Sequence, residues 1–220
     1  MSSYLPPSIT KAIESLACLP GIGSKSAERL VFSLLKSGNG LEEKIADSLR
    51  HLKANVGECQ QCHHYCELNL ETKELENLGT KNHICPICNA STRDQNVICV
   101  VSESSDLVAL EKTHEFNGLY HVLHGVISPV NKVRPENLRI RSLLERINQN
   151  QNPDGKITEI ILALSGDMES ETTALYLYDQ LKNTFDGNIT RLSRGIPASS
   201  NLEYLDVGTL TRAMSERRAF

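Results

Sequence analysis

Two pairs of closely spaced cysteines constrain the fold of this chain more than any other feature of its sequence. Cys59 and Cys62 form the first pair, and Cys85 and Cys88 form the second, with 22 residues between the pairs. Each pair lets two sulfur atoms reach one ion from a single tight turn, and two such turns complete a tetrahedral shell. Because four sulfur ligands leave no coordination position for water, we expect one structural zinc ion, Zn(2+), per chain.

Several other side chains near the two pairs are alternative ligands for this ion. They are Cys66, His63, His64 and His83. The gap between the pairs is wider than is usual for a zinc ribbon, and a surface insertion with the acidic sequence ELNLETKELENLGT accounts for the excess. The other two cysteines, Cys18 and Cys99, lie in apolar stretches, where we interpret them as small core residues.

The sequence shows no signal for export or for insertion into a membrane. Its N-terminus lacks a basic segment followed by an apolar run, and no stretch approaches the roughly 20 apolar residues of a membrane helix. We therefore expect a cytoplasmic protein without a membrane partner. In that compartment thiols stay reduced, so the seven cysteines indicate metal binding more than disulfides.

The first quarter of the sequence predicts a small module of three helices. Apolar residues recur at helical spacing from Ile9 to Ala17, and again from Ala27 to Leu35. A third amphipathic helix is predicted over residues 41–54. We expect it to bury four apolar residues, Leu41, Ile45, Leu49 and Leu52.

The connection between the first two helices carries the features of a helix-hairpin-helix that binds a nucleic-acid backbone. In the segment Leu-Pro-Gly-Ile-Gly, Gly21 and Gly23 let a phosphate approach the N–H groups at the start of the second helix. Lys25 and Arg29 are four residues apart on one helix face and add positive charge. The alternative interpretation is a plain tight turn that needs glycine for its backbone angles.

Charge along the chain gives only weak guidance about partners. The net charge of −4 opposes binding to a polyanion. Residues 1–56 nevertheless carry seven Lys and Arg against five Asp and Glu, and residues 132–156 carry six against three. We interpret the second cluster as solvated surface charge.

From Val97 onward, short apolar runs alternate with helical patterns. Four runs, NVICVV, LYHVL, ITEIILAL and NITRLS, are predicted strands, and a helical segment follows each of them. Strands that alternate with helices of about ten residues or more predict βαβ units and a parallel sheet. Ligands of such sheets bind at the carboxyl ends of the strands.

Four acidic residues lie where predicted strands end. Glu103 follows the first strand, and Asp167, Glu169 and Glu171 follow the third. Converging carboxylates there are typical of a magnesium site. The alternatives are acids that stabilise helix starts or that face a protein partner. We identify no nucleophile beside them, and no residue is assigned a catalytic role.

Motifs along nearly the whole chain are similar to those of the RecR family of bacterial recombination mediators. They are CLPGIGSKSAERLVFSLL, the two cysteine pairs, ICVVSESSDLVALE, ILALSGDMESETTALYL and LSRGIPASSNLEYLDVGTLTRAM. The resemblance implies a helix-hairpin-helix, a zinc finger and a Toprim domain in each subunit of a ring-shaped tetramer that clasps DNA. It also implies a non-enzymatic role with RecO, and sometimes RecF, in loading RecA onto gapped single-stranded DNA.

Three departures from the family pattern are visible. The gap between the cysteine pairs is longer, Leu164-Ser165-Gly166 replaces Thr-Asn-Pro before the acids, and Ser199-Ser200 replaces Gly-Gly. The last two weaken any assignment of metal or nucleotide binding to those loops.

The expected architecture is therefore an α+β chain of several modules. We predict a helix-hairpin-helix at 1–56, a zinc finger with an insertion at 57–92, a Toprim-like α/β domain at 93–190 and a C-terminal strand-end and helix segment at 191–220. Two rivals to a DNA-binding mediator stay open. One is a magnesium-dependent nuclease or primase-like enzyme of the Toprim type, and the other is a zinc-stabilised adaptor that binds only protein.

Overall fold

A computed structural model of the chain describes residues 4–68, 83–149, 156–193, 196, 201–215 and 217. The chain divides into two units, Met1–Val56 and Gly57–Phe220. None of the helices in the described part combines the length and apolar character needed to cross a bilayer.

The first unit consists of three helices, α1 (Pro7–Ala17), α2 (Ser24–Lys36) and α3 (Leu41–Asn55). Proline at the start of α1 suits a helix start, where its missing N–H would have no intrahelical partner. Helices α1 and α2 pack against each other, and Ala27 and Val31 of α2 are buried. Gly21, in the turn between α1 and α2, has a φ of 78°, which glycine adopts without strain. The predicted helical module is confirmed.

The burial predicted for α3 is wrong. Its apolar residues are largely exposed, with relative accessibilities of 42% for Leu41 and Ile45, 61% for Leu49 and 60% for Leu52. The periodicity is present, but a unit of this size has too little partner surface to cover a third apolar face. The prediction for Cys18 is also wrong, because this residue is exposed and its thiol donates to the carbonyl of Glu14 at 3.3 Å.

The second unit contains the remaining elements, except that Val56, the first residue of β1, belongs to the first unit. In chain order they are β1 (Val56–Glu58), β2 (Tyr65–Glu67), α4 (Pro86–Asn89), β3 (Asp94–Val101), α5 (Ser104–Glu111), β4 (Gly118–Val122), α6 (Ile140–Gln149), β5 (Glu159–Ala163), α7 (Met168–Leu181), β6 (Asn188–Arg191) and α8 (Val207–Ser215). Strands β1 and β2 pair with each other, and β3 to β6 form a separate sheet.

The four-stranded sheet is parallel throughout and has the order β4-β3-β5-β6, so β4 and β6 are its edges. Its strands are the four predicted from the sequence. On one face, Ile98 and Ile160 pack with Leu143 of α6 and Leu177 of α7. The other face buries a second cluster, in which Leu107 of α5 packs with Cys99, Val101 and Tyr120. The core position predicted for Cys99 is confirmed.

Three helices of the second unit have these bounds and flanking turns. The final helix begins at Val207 because the Asp206 carboxylate accepts the N–H of Thr209 at 2.9 Å and caps it there. A separate short 3-10 turn, Leu202–Tyr204, precedes it. Helix α5 ends at Glu111, and α6 starts only after a 3-10 turn at Pro135–Asn137.

Candidate metal centre and nucleic-acid interface

The structure brings the four paired cysteines into one buried cluster. The Sγ atoms of Cys59, Cys62, Cys85 and Cys88 all lie within 4.8 Å of one another, and the Cys62 and Cys85 sulfurs are 3.5 Å apart. Zinc–sulfur bonds of about 2.3 Å in a tetrahedron place neighbouring sulfurs about 3.8 Å apart. The cluster therefore has the composition and the size of a four-sulfur metal site.

Backbone N–H groups point at the sulfur atoms from both turns. The N–H groups of Cys85, Cys88 and His64 donate to the Sγ atoms of Cys59, Cys85 and Cys62 at 3.3, 3.4 and 3.5 Å. Hydrogen bonds from the neighbouring thiols, of which Cys62 gives the largest contribution, lower the pKa of Cys59, and the same hydrogen bonds raise the pKa of Cys62 and Cys88. Within the cluster, negative charge is therefore favoured on Cys59, which accepts hydrogen bonds from its neighbours.

The alternative ligands do not join the four sulfurs. Cys66 lies in the same buried cluster of cysteines but outside the tetrad of converging sulfurs. His63 instead lies with Nδ1 3.4 Å from Glu58 and Nε2 2.8 Å from the hydroxyl of Ser142. Among the described residues, neither His64 nor His83 belongs to a group of three or more side chains close enough together to hold a metal ion. The insertion is described only at its ends, since residues 69–82 lie outside the described residues.

We call residues 59–64, which carry the first cysteine pair, the first knuckle. Three consecutive carbonyls of this knuckle accept hydrogen bonds from the α/β sheet and its helices. Arg146 Nη1 donates to Gln61 at 3.2 Å, the N–H of Val122 to Cys62 at 2.8 Å and His124 Nε2 to His63 at 2.7 Å.

These contacts cover an edge of the sheet. Strand β4 is an edge strand, yet all five of its residues are buried. An exposed edge of this kind is a site for unwanted pairing, and proteins often cover it. Here the first knuckle lies beside the edge, and the carbonyl of Cys62 accepts a hydrogen bond from the outward-pointing N–H of Val122. The candidate metal centre is therefore built into the α/β unit.

A polar group beside the knuckle strengthens this attachment. The Arg139 guanidinium donates twice to the Glu58 carboxylate at 3.1 Å. Burial alone would raise the pKa of Glu58, but the hydrogen bonds and charge of Arg139 lower it overall. The imidazole of His121 is fully buried, and burial lowers its pKa to about 3, so its neutral ring donates through Nε2 to the Arg139 carbonyl. These side chains hold the start of α6 against the knuckle.

The hairpin of the first unit has an open helix start. Gly23 is the N-cap of α2, no side chain caps this terminus, and its first turn contains no acid. A Cβ atom added at Gly21 or Gly23 would meet nothing within 4 Å. Lys25 and Arg29 are exposed, and among the described residues neither is paired with a carboxylate. Gly21, Gly23 and Lys25 thus lie at or beside one accessible helix start, and Arg29 lies about one turn further along α2.

The four predicted acids are not gathered into one site. Within the described residues, side chains that could share a metal ion in groups of three or more occur only at the four cysteines. Each of the acids at the start of α7 has a local partner. Asp167 accepts the N–H of Ser170 at 2.9 Å, and Glu169 accepts the Ser128 hydroxyl at 2.5 Å. Hydrogen bonds from Ser170 lower the pKa of Asp167.

The remaining two acids, Glu171 and Glu103, also take part in local hydrogen bonds. Glu171 forms two hydrogen bonds with Arg191 at 2.8 and 3.1 Å and so joins α7 to the edge strand β6. Glu103 precedes α5 and is exposed, and its N–H donates to the Asp106 carboxylate at 2.9 Å. The helix-start alternative therefore describes both Asp167 and Glu103, the N-caps of α7 and α5, and these two are also the exposed members of the set. The departure at Ser199-Ser200 lies outside the described residues.

Sequence reasoning missed the residues that hold the first knuckle. Arg146 belongs to the basic stretch that we interpreted as solvated surface, but its side chain is buried. His124 and Arg139 likewise contact residues 61 and 81 positions away. Nothing near these residues in the sequence marks the contacts, because they depend on how α6 and β4 meet the knuckle.

Comparisons with known proteins agree across the chain. Family models described as "RecR, helix-hairpin-helix", "Toprim domain" and "RecR, C-terminal" match residues 9–53, 96–193 and 195–218. Curated proteins named "Recombination protein RecR" are similar over nearly the full length. The protein of Moorella thermoacetica is 44% identical over 97% of this chain and 98% of its own, and that of Chloroherpeton thalassium is 41% identical over the same shares. That of Synechocystis sp. is 44% identical over 98% of this chain and 83% of its own.

Proposed function

The chain belongs to the RecR family of recombination proteins, and we propose from this and from its site geometry that it is a non-enzymatic mediator of DNA repair. In this role it binds DNA without regard to sequence and acts with a RecO-like protein, and in some settings a RecF-like protein, to help load RecA on gapped single strands. The observation that carries the DNA-binding part is the uncapped, acid-free start of α2 beside two exposed cations.

The hairpin suits a phosphate for reasons of backbone chemistry. The first N–H groups of a helix have no intrahelical partner and lie at the positive end of its dipole. Open space around Gly23 lets a phosphate approach these N–H groups closely. Lys25 and Arg29 then neutralise phosphates on the same strand. Such contacts carry no sequence information, because phosphates are the same at every base.

One hairpin alone binds weakly, so we propose that several act together in a homo-oligomer, a ring-shaped tetramer. The two cations of each hairpin act against a net charge of −4. Several hairpins on one assembly raise the effective concentration of each for the same DNA. The exposed apolar face of α3 supports assembly, since an apolar face left uncovered in one chain is typical of an interaction surface.

We propose that the cysteine cluster binds one structural zinc ion per chain. Four thiolates in a tetrahedron of this size form a ligand set that zinc accepts, and they leave no position for a reacting water. When bound, zinc supplies folding free energy to the finger. On this basis we divide the chain into the helix-hairpin-helix at 1–56, the finger at 57–92, the Toprim-like domain at 93–190 and the C-terminal segment at 191–220.

The proposed absence of catalysis rests on the acidic residues. Metal-dependent phosphoryl transfer needs carboxylates that share a cation. Asp167, Glu169 and Glu171 instead have partners within their own unit. We propose that the exposed acids Glu103 and Asp167, at the carboxyl edge of the sheet, face a basic surface of the RecO-like partner.

The first prediction concerns DNA. Lys25→Ala should weaken binding to gapped DNA of any sequence and flatten the slope of log affinity against log salt by roughly one unit per engaged hairpin. Gly23→Ala should weaken binding while the module still folds, because alanine tolerates the φ of −80° at the modest cost of a poorer N-cap, and its methyl group obstructs the phosphate. The measurement is a salt titration by fluorescence anisotropy.

Lys36→Ala is the matched control, because this lysine lies eleven residues further along the same helix, about 16 Å away. It should leave affinity and slope nearly unchanged. Equal affinities and slopes for wild type, Lys25→Ala and Gly23→Ala would mean that the hairpin is only a turn. Magnesium-dependent cleavage or synthesis in the same samples would favour the enzymatic alternative.

The second prediction concerns zinc. Metal analysis should find one zinc per chain, and Cys59→Ala should lose it and the folded finger, since zinc binding in finger peptides contributes about 10–16 kcal/mol. Cys66→Ala is the control, because Cys66 lies in the same buried cluster but outside the tetrad. Full zinc content in Cys59→Ala, or loss of zinc in Cys66→Ala, would show that the ligands are misassigned.

The third prediction concerns the protein partner. Glu103→Lys should slow association with a RecO-like protein and reduce the salt dependence of the rate, because rim charges act mainly on encounter. Glu115→Lys, an equal charge change at an exposed residue just before β4, should have little effect. Stopped-flow association rates at several salt concentrations test this, and equal rates for both variants would place the partner surface elsewhere.

A further inference from the structure

Arg146 is a buried cation at the junction between α6 and the first knuckle. Its relative accessibility is 7%. Nη1 donates to the carbonyl of Tyr120 in β4 at 2.7 Å and to the carbonyl of Gln61 at 3.2 Å. Nε and Nη2 are buried and have no hydrogen-bond partner among the described residues. The guanidinium is thus hydrogen-bonded through Nη1, while its Nε and Nη2 donors have no partner among the described residues.

The charge of this guanidinium needs compensation. Arginine stays protonated at any pH at which the protein is folded. No carboxylate within the described part of the chain forms an ion pair with Arg146, in contrast to Arg93, Arg139 and Arg141. An unpaired buried charge is strongly destabilising unless an opposite charge lies nearby.

The residue that Arg146 holds belongs to the loop of the cysteine cluster, which is a source of negative charge once its thiols bind a metal ion. Gln61, whose carbonyl Arg146 holds, stands between the ligands Cys59 and Cys62. Four thiolates around one divalent cation carry a net charge of −2, and this charge lies in a buried setting where electrostatic interactions are strong. We propose that Arg146 is the counter-charge of the metal–tetrathiolate centre and a positioning residue for its first knuckle. The inference rests on the metal binding proposed above.

In this role Arg146 links the first knuckle to the sheet. Arg146 orients the knuckle through Gln61 and ties it to β4 through Tyr120, while its charge favours the fully deprotonated, metal-loaded cluster. Residues around a metal site that orient ligands or balance charge typically change metal affinity by 10–100-fold when they are replaced. We therefore expect Arg146 to contribute to zinc affinity although it touches no metal.

The test compares zinc binding in four full-length variants. They are Arg146→Lys, which keeps the charge, Arg146→Gln, which keeps a donor but no charge, Arg146→Met, which keeps the apolar volume, and Arg141→Gln as a surface control on the same helix. The Arg141 side chain is 92% exposed. Zinc Kd and dissociation rate are measured by competition with a chromogenic chelator at one pH and one salt concentration.

Both neutral variants should raise the Kd of zinc about 10–100-fold and speed its release, while Arg146→Lys recovers most of the affinity. Arg141→Gln should match wild type. The absorption of the cobalt-substituted proteins should show the same tetrahedral four-sulfur site in all of them. Methionine deprives the Tyr120 and Gln61 carbonyls of a donor but introduces no buried polar group of its own, so Arg146→Met keeps the comparison available if Arg146→Gln does not fold.

Two results would overturn the inference. Unchanged zinc affinity in Arg146→Met would mean that the charge is irrelevant to the metal. Equal losses in Arg146→Lys and Arg146→Gln would mean that the geometry of the guanidinium, and not its charge, holds the knuckle. If the wild-type chain binds no zinc, the proposed metal centre itself is refuted. The wild-type titration alone distinguishes this outcome from a failure of the role of Arg146.

Discussion

The hydrogen bonds between the first knuckle and the sheet are the interaction on which the second unit depends. Three successive carbonyls, at residues 61 to 63, accept donors from α6, from β4 and from the turn after β4. A buried backbone group without a hydrogen-bond partner costs free energy of folding. The three donors therefore hold the knuckle in its observed shape. Edge strand β4 in turn is covered by the knuckle. The cysteine cluster, our candidate metal centre, and the sheet edge thus form one structural unit.

The cysteine cluster and the glycine hairpin belong to different units of the chain. The cysteine cluster stabilises the α/β unit, while the hairpin that we propose for DNA lies in the other unit and exposes backbone N–H groups and two cations. The carboxyl edge of the sheet, where relatives of this fold class place ligands, is occupied by helix starts whose acids already have partners. The proposed structural, nucleic-acid and protein-contact sites therefore use different chemical groups.

Local patterns in the sequence predicted most of the fold. The cysteine spacing, the alternation of apolar runs with helices and the Gly-Ile-Gly turn each depend on residues close together in the chain. The failures have a common physical cause. Exposure of Leu49 and burial of Arg146 depend on which surfaces meet in three dimensions, and neither leaves a local signal. The Glu171–Arg191 pair, 20 residues apart, likewise depends on α7 passing beside β6.

The most direct test of the coupling between metal centre and sheet is hydrogen exchange of the full chain before and after zinc is removed by a chelator under reducing conditions. The account predicts that the N–H of Val122, which donates to Cys62, loses protection together with residues 59–64. The central strand β5 should keep its protection, since its hydrogen bonds lie within the sheet. Loss of protection confined to residues 59–64, with β4 unchanged, would contradict the account.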